Sequence, residues 1–177
     1  MLPLLTPRLE LIAASAAVCR AATGARATLA ELLSARVPAS WPPPLMADHL
    51  EGFAQRIEAE PGLEGWLPWY WVTRQDRTLV GNGGFGARPA LDGSAKIGYA
   101  LVAEQQGRGF ATEAVAGILQ WAFAHSTLQR VVADTYPELT QSIRVLQKNG
   151  FRYSGPGRDD RTIRYELTRG AWIAVTG

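Results

Sequence analysis

The sequence predicts an α+β fold in which helices flank a mixed, mostly antiparallel β-sheet, an α/β/α arrangement. Two observations predict it. Hydrophobic residues have helical spacing over most of the first sixty residues and then alternate with a period of two. A strand–helix–strand pattern later in the chain indicates one parallel strand pair among strands otherwise joined by turns. The length of 177 residues suits one domain, and we assign residues 1–177 to it.

The first sixty residues predict helices at three places: residues 15–22, 27–33 and 49–60. Gly24 separates the first two helices. Asp48 and Glu51 have the spacing of a capping box, which places the start of the third helix near residue 49. Pro61 and Gly62 are residues that end a helix, so the third helix should stop just before them.

The rest of the chain predicts strands at six places: residues 66–74, 78–84, 94–102, 130–135, 151–154 and 161–167. Residues 110–125 carry one apolar stripe at helical spacing and therefore form a connecting helix. The strands at 94–102 and 130–135, which flank this helix, should run parallel through a right-handed crossover. A second helix at 140–149 should end at Gly150, a residue suited to a left-handed cap.

Charge and cysteine content exclude several classes of function. The chain has 18 Lys and Arg against 16 Asp and Glu, and a net charge of +2 gives no reason to expect a nucleic acid or membrane partner. The one cysteine, Cys19, and the two histidines give no basis for a disulfide or a metal centre, so we expect neither. Glu10 is out of place ahead of a signal peptide's apolar run, and we expect a cytoplasmic protein.

A glycine-containing segment between the strand at 94–102 and the helix at 110–125 is the most informative feature. Gly107 and Gly109 let the backbone turn tightly, and the helix start provides unpaired amides with a partial positive charge. Together with the cationic Arg108, these groups suit a phosphate or a pyrophosphate. A plain strand-to-helix turn explains the same glycines, and the spacing alone leaves both interpretations open. The segment lacks the lysine of a Walker loop.

This segment is part of a longer run of motifs. Residues 98–111 resemble motif A of the GNAT superfamily of N-acetyltransferases, which use acetyl-CoA. Residues 121–123 and 142–151 resemble later motifs in the same order. The opening residues 5–9 resemble the first strand of the branch that includes the ribosomal-protein N-terminal acetyltransferases. The resemblance implies the GNAT fold, whose central sheet splays between its two parallel strands.

The resemblance also implies where acetyl-CoA binds. The pantetheine arm pairs with the backbone at the end of one parallel strand, and the pyrophosphate lies on the amides of the loop and the first helical turn. The cofactor-binding residues expected on this basis are Leu101, Val102, Gln106, Gly107, Arg108, Gly109, Phe110, Ala111 and Thr112.

The catalytic residues are less clear, because the chain departs from the commoner family pattern. The tyrosine that many members carry before the Gly-Phe pair is replaced by Leu146, and an asparagine near the start of the same helix is replaced by Leu139. Ser142 occupies the serine position that the ribosomal branch uses to protonate or position the thiolate. We therefore name Ser142 as a catalytic candidate.

The general base has several candidates and no assignment. The position before Ile97, often a glutamate in the family, is Lys96 here. Asp134 on the strand facing the opening is one candidate, and Glu138 just beyond that strand is a weaker one. For both, a solvated or capping carboxylate is the competing interpretation, because exposed carboxylates are common.

The resemblance implies direct transfer of an acetyl group from acetyl-CoA to a primary amine. The branch points to a protein or peptide N-terminus, and a small-molecule amine such as an antibiotic or a polyamine is the alternative acceptor. Two rival functions stay open: a catalytically silent sensor of acyl-CoA, and nucleotide binding at the Gly107 turn. Homodimers are common among such small enzymes, and that question also stays open.

Overall fold

The computed structural model describes residues 2–47 and 49–176. Its strands form one eight-stranded sheet in the order β1-β2-β3-β4-β5-β6-β8-β7, with β5 and β6 parallel and every other neighbouring pair antiparallel. The strands are β1 (Leu4–Leu5), β2 (Leu9–Ala13), β3 (Pro68–Thr73), β4 (Leu79–Phe85), β5 (Ser94–Leu101), β6 (Arg130–Thr135), β7 (Arg152–Pro156) and β8 (Ile163–Thr168). The predicted mixed, mostly antiparallel sheet is confirmed.

Seven α-helices occur in the described residues, together with 3₁₀ turns at Pro61–Leu63 and Ala103–Gln105. The helices are α1 (Ala16–Ala22), α2 (Arg26–Leu33), α3 (Pro44–Ala47), α4 (Leu50–Ala59), α5 (Phe110–Phe123), α6 (Thr140–Lys148) and α7 (Arg169–Thr176). The predicted helices at 15–22, 27–33, 110–125 and 140–149 are confirmed to within three residues at each end.

The helices form two layers, one on each face of the sheet. Two-residue alternation in β3 directs Tyr70 to one face, where its ring centroid lies 5.8 Å from that of Trp41. It directs Trp69 to the other face, where its ring meets Trp121 of α5 at 5.4 Å. The aromatic side chains of β3 are fully buried. Helices α1, α2 and α4 therefore cover one face, and α5 and α6 cover the other.

The structure differs from the sequence prediction at the start of the chain. Residues 5–9 were expected to be one strand, but a tight turn separates β1 from β2, with the Thr6 amide donating to the Leu9 carbonyl at 2.9 Å. The predicted capping residue Asp48 lies outside the described residues. Helix α4 begins at Leu50, and the preceding His49 makes no side-chain cap.

The parallel pair β5–β6 is short, and this shapes the whole molecule. Only residues 94–96 of β5 pair with residues 130–132 of β6. Beyond that point β5 continues along β4 to Leu101, and β6 continues along β8 to Thr135. The sheet is therefore two antiparallel halves that separate towards the carboxyl ends of β5 and β6. The predicted splay is confirmed.

Candidate functional site

The segment between β5 and α5 presents a row of free backbone amides. Gly107 and Gly109 adopt left-handed φ angles of 74° and 81°, which favour glycine. A Cβ at Gly107 would meet open space, so the loop can be approached closely. Among the described residues, the amides from Gly107 to Thr112 have no hydrogen-bond acceptor outside the loop. Because the helix dipole adds a partial positive charge here, this loop suits an anion.

The turn between β1 and β2 holds this loop in place through Glu113 of α5. The Glu113 carboxylate accepts hydrogen bonds from the Thr6 hydroxyl at 2.6 Å and from the Arg8 amide and Nε at 2.7 and 2.6 Å. Partial burial acts to raise the pKa of Glu113, but these hydrogen bonds lower it overall. Arg8 and Arg108 both lie over the Phe110 ring, at 4.7 and 5.3 Å. The Phe110 side chain therefore packs against these two arginines, and its backbone amide is one of the free amides of the loop.

A cavity of about 640 Å³ adjoins the loop on the side of β2 and β3. Three arginines line it, Arg8, Arg74 and Arg108, against one carboxylate, Asp76, which leaves a net positive charge. Arg108 donates to the side chain of Gln105 at 2.6 Å, and Arg74 donates to the carbonyls of the β1–β2 turn. The free amides therefore lie beside a surface that favours negative charge.

The open edge of β5 offers backbone groups at Leu101, but not at Val102. The Val102 amide donates to the Val80 carbonyl at 3.1 Å, and the Val102 carbonyl accepts from the Gln105 amide at 3.0 Å. Both backbone groups of Val102 are therefore used within the chain, and pairing of a ligand with Val102 stays a prediction. By alternation, the amides and carbonyls of Tyr99 and Leu101 point away from β4 into the opening. Gln106 reaches the Leu101 carbonyl only weakly, at 3.4 Å.

The gap between β5 and β6 contains a cavity of about 760 Å³ that reaches both faces of the sheet. On the α5–α6 face it is lined by Ser142 and Leu146 of α6. On the opposite face it is lined by His49 and Phe53 of the α3–α4 region. Arg158 of the β7–β8 loop lies at the same opening. One cavity is therefore open to ligands from both sides of the sheet.

Ser142 lies in this cavity beside Tyr99. The Tyr99 hydroxyl donates to the Ser142 carbonyl at 3.1 Å, and the two hydroxyl oxygens are 3.2 Å apart. Burial raises the pKa of Tyr99 to about 12, although the hydrogen bond with Ser142 acts to lower it. Tyr99 is therefore a protonated donor at neutral pH. Sequence reasoning missed its part in the site, although the alternation of β5 gave the signal by directing Tyr99 into the opening.

Asp134 also lines the cavity, as expected, but it is held between two cations. Its carboxylate accepts from Arg164 Nε at 2.8 Å and from Lys96 Nζ at 2.8 Å, and its side chain is 5% exposed. Partial burial acts to raise the pKa of Asp134, but Arg164 and Lys96 lower it to about 2. Such a carboxylate is a weak proton acceptor at neutral pH, which disfavours Asp134 as the general base. Glu138 is exposed and does not line the cavity.

Across residues 2–47 and 49–176, no cluster of three or more His, Cys, Asp or Glu side chains could hold a metal ion. Within those same residues, none of the helices combines the length and apolar character of a membrane span.

Comparison with known proteins agrees with this geometry. The family model of the acetyltransferase (GNAT) domain matches residues 19–152. The chain is similar to the uncharacterized N-acetyltransferase p20 of Bacillus licheniformis, with 34% identity over 104 residues. That match covers 59% of this chain and 56% of p20, so the chain spans little more than half of that relative.

Two solved structures show the same fold. The ribosomal-protein-S5-alanine acetyltransferase from Vibrio fischeri has a TM-score of 0.68 and 18% identity, and the match covers 97% of this chain and 99% of that one. A mutant form of the spermidine/spermine N-acetyltransferase SpeG from Vibrio cholerae has a TM-score of 0.66 and 16% identity, with coverage of 96% and 98%. Because the printed names of these two proteins differ in acceptor, the fold does not determine the acceptor.

Proposed function

Since the chain belongs to the GNAT acetyltransferase family, we propose that it transfers an acetyl group from acetyl-CoA to a primary amine. The observation that carries this proposal is the single cavity through the sheet, open on both faces, with a row of free amides at one end of the same strand. An acyl donor and an amine can then meet in the gap from opposite sides. Holding two reactants together in this way accelerates a bimolecular reaction strongly.

The residues of the loop fit coenzyme A. The amides from Gly107 to Thr112 bind the pyrophosphate, and the arginine-lined cavity beside them suits the remaining phosphate of the nucleotide. The open backbone groups of Leu101 and Tyr99 pair with the pantetheine arm, in place of the pairing expected at Val102. Bound acetyl-CoA supplies an activated acetyl group as a thioester.

The chain's own groups then assist the transfer. The Ser142 hydroxyl lies beside Tyr99 in the cavity, and by rotating away from the Tyr99 oxygen it can donate its proton to a departing thiolate. An amide at the open edge of β5 can donate to the thioester oxygen as negative charge develops on it. A thiol has an ordinary pKa of about 8.5, so its thiolate is a good leaving group. A weak proton donor such as the Ser142 hydroxyl is therefore sufficient.

Direct attack by the amine suits this site better than an acyl-enzyme. Cys19, the one cysteine, is buried in α1, and burial raises its pKa to about 11. A thiol of this kind is a poor nucleophile, because the thiolate is the reactive form. The proposal therefore includes a ternary complex of enzyme, acetyl-CoA and amine.

Calorimetry and a free-thiol assay test this function. We expect CoA and acetyl-CoA to bind and to raise the melting temperature, with ATP having little effect. We expect amines to release free CoA, with peptides bearing a free N-terminus and small amines in the panel. Failure to bind CoA would refute the proposal, whereas tight binding without turnover on any amine would favour the silent sensor.

A further inference from the structure

Four charged side chains line the cavity on its β6 side: Lys96 and Arg158 are cations, and Asp134 and Asp159 are carboxylates. Asp134 faces it, but its two oxygens already accept from Lys96 and Arg164. Lys96 is half exposed and lines the cavity, so its ammonium can bind a second anion in addition to Asp134. Arg164 does not line the cavity, but it pairs with Asp134 from behind, so Lys96, Arg164 and Asp134 together carry a net charge of +1.

The β7–β8 loop adds a second cation. Arg158 lines the cavity, and within residues 2–47 and 49–176 its guanidinium has neither a hydrogen bond nor an ion pair. The neighbouring Asp159 does not neutralise it, because its carboxylate accepts from the Arg161 amide at 3.0 Å and lies 3.6 Å from Arg161 Nε. The hydrogen bond from the Arg161 backbone lowers the pKa of Asp159, so this carboxylate stays ionised beside Arg161.

From this arrangement we infer that the acceptor is a primary amine that also carries an anionic group, a carboxylate or a phosphate, which binds Lys96 and Arg158. The inference rests on the proposed acetyl transfer and adds the class of its acceptor. A polyamine or an aminoglycoside would bring further positive charge to a cavity whose two carboxylates are already paired. An anionic group instead gains two charge-assisted hydrogen bonds.

The same cations help to explain how the chain acts without an assigned base. Nearby positive charge destabilises the ammonium form of an amine and lowers its pKa, so more of the bound acceptor is the neutral nucleophile. The anionic group offsets the repulsion that this would otherwise cause during binding. The opposite wall contributes apolar contacts through Phe53 and Phe85.

Matched acceptors test the inference. We compare β-alanine with its carboxamide, phosphoethanolamine with ethanolamine, and both pairs with spermidine, at low salt with saturating acetyl-CoA. We expect kcat/KM for at least one anionic member to exceed that of its neutral partner about tenfold or more, and to fall as salt rises. Spermidine should be the poorest acceptor. The carboxylate and phosphate pairs separate the two sources of negative charge.

Two variants locate the effect. Arg158→Gln should remove most of the preference for the anionic acceptor, chiefly through KM, and Arg158→Glu should reverse it towards spermidine. Arg152 is an exposed arginine on the same hairpin but outside the cavity. Arg152→Gln is therefore the matched control and should change neither the preference for the anionic acceptor nor KM. Melting temperatures and CoA affinity establish that each variant is folded.

The outcomes separate the two proposals. Rapid acetylation of neutral amines or spermidine with no anionic preference would overturn the anionic acceptor and leave the acetyl transfer standing. If Arg158→Gln keeps the full preference for the anionic acceptor, the anionic acceptor is likewise overturned and the acetyl transfer stands. Absence of CoA binding would overturn both proposals together.

Discussion

The two ends of the central cavity are built in different ways. The proposed cofactor end consists of backbone amides from one continuous segment, residues 107–112, at the start of a helix. The acceptor end consists of side chains from segments far apart in the chain: Phe53 of α4, Lys96 of β5, Asp134 of β6 and Arg158 of the β7–β8 loop. In the proposed complex, backbone geometry selects the ligand at one end, and the charge of side chains selects it at the other.

The largest effect should come from the cofactor end. Gly109→Val places a β-branched residue at a φ of 81°, a strain of about 1–3 kcal/mol that the loop relieves by moving its amides. We expect CoA to bind about a hundredfold more weakly by calorimetry. Gly24→Val is the control, because a Cβ there meets open space between α1 and α2. Equal CoA affinity in the two variants would show that the loop backbone does not set binding.

At the acceptor end, Asp134→Asn should lower stability. It removes the carboxylate that pairs with Lys96 and Arg164, and we expect a loss of about 2 kcal/mol in the free energy of unfolding. The folded pKa of about 2 lies below the ordinary value. The carboxylate's contribution is therefore complete above about pH 4 and is lost as the pH falls towards 2.

Urea unfolding of wild type and Asp134→Asn from pH 7 down to pH 2 checks this dependence. The difference in unfolding free energy between the two proteins should shrink as the pH falls. A difference that stays constant over this range would mean that the ionised carboxylate contributes nothing to stability. If acetyl transfer persists in the variant, Asp134 is not the base.

A smaller effect should come from the hydroxyl pair between the two ends. Ser142→Ala and Tyr99→Phe should each lower kcat about tenfold with little change in CoA affinity, and the double variant should fall little further, because the pair acts as a unit. Stopped-flow measurement of CoA release gives these rates. Gln141→Ala, an exposed neighbour on α6, is the control. If the losses in kcat of the two single variants multiply in the double variant, the two hydroxyls act separately.

The free amides of the loop could be predicted from the sequence, because their signals are local. Two glycines between a strand and an amphipathic helix indicate free amides whatever lies elsewhere. The strand at residues 130–135 has the bounds that its short apolar run predicted. The partners of Val102 within the chain depend on which edge of β5 faces β4, and this register is not visible in the sequence of one strand.

The proposed acceptor end could not be predicted from local sequence patterns. Lys96 was noted as a substitution for an expected glutamate, but its pairing with Asp134 depends on contact between two parallel strands. Arg158 lies in a loop with no pattern of its own, and helix α7 at the end of the chain was not predicted. Side chains gathered from four segments acquire their role only when the sheet is assembled.

The hydrogen bonds from the β1–β2 turn to Glu113 have a practical consequence. A fragment trimmed to residues 19–152, the span of the family match, would leave that carboxylate without Thr6 and Arg8. It would also lack β2 and β8, which pair with β3 and β6. The edges of β3 and β6 would then be exposed and could associate with other chains. We therefore expect a fragment limited to residues 19–152 to fold less stably than the full chain.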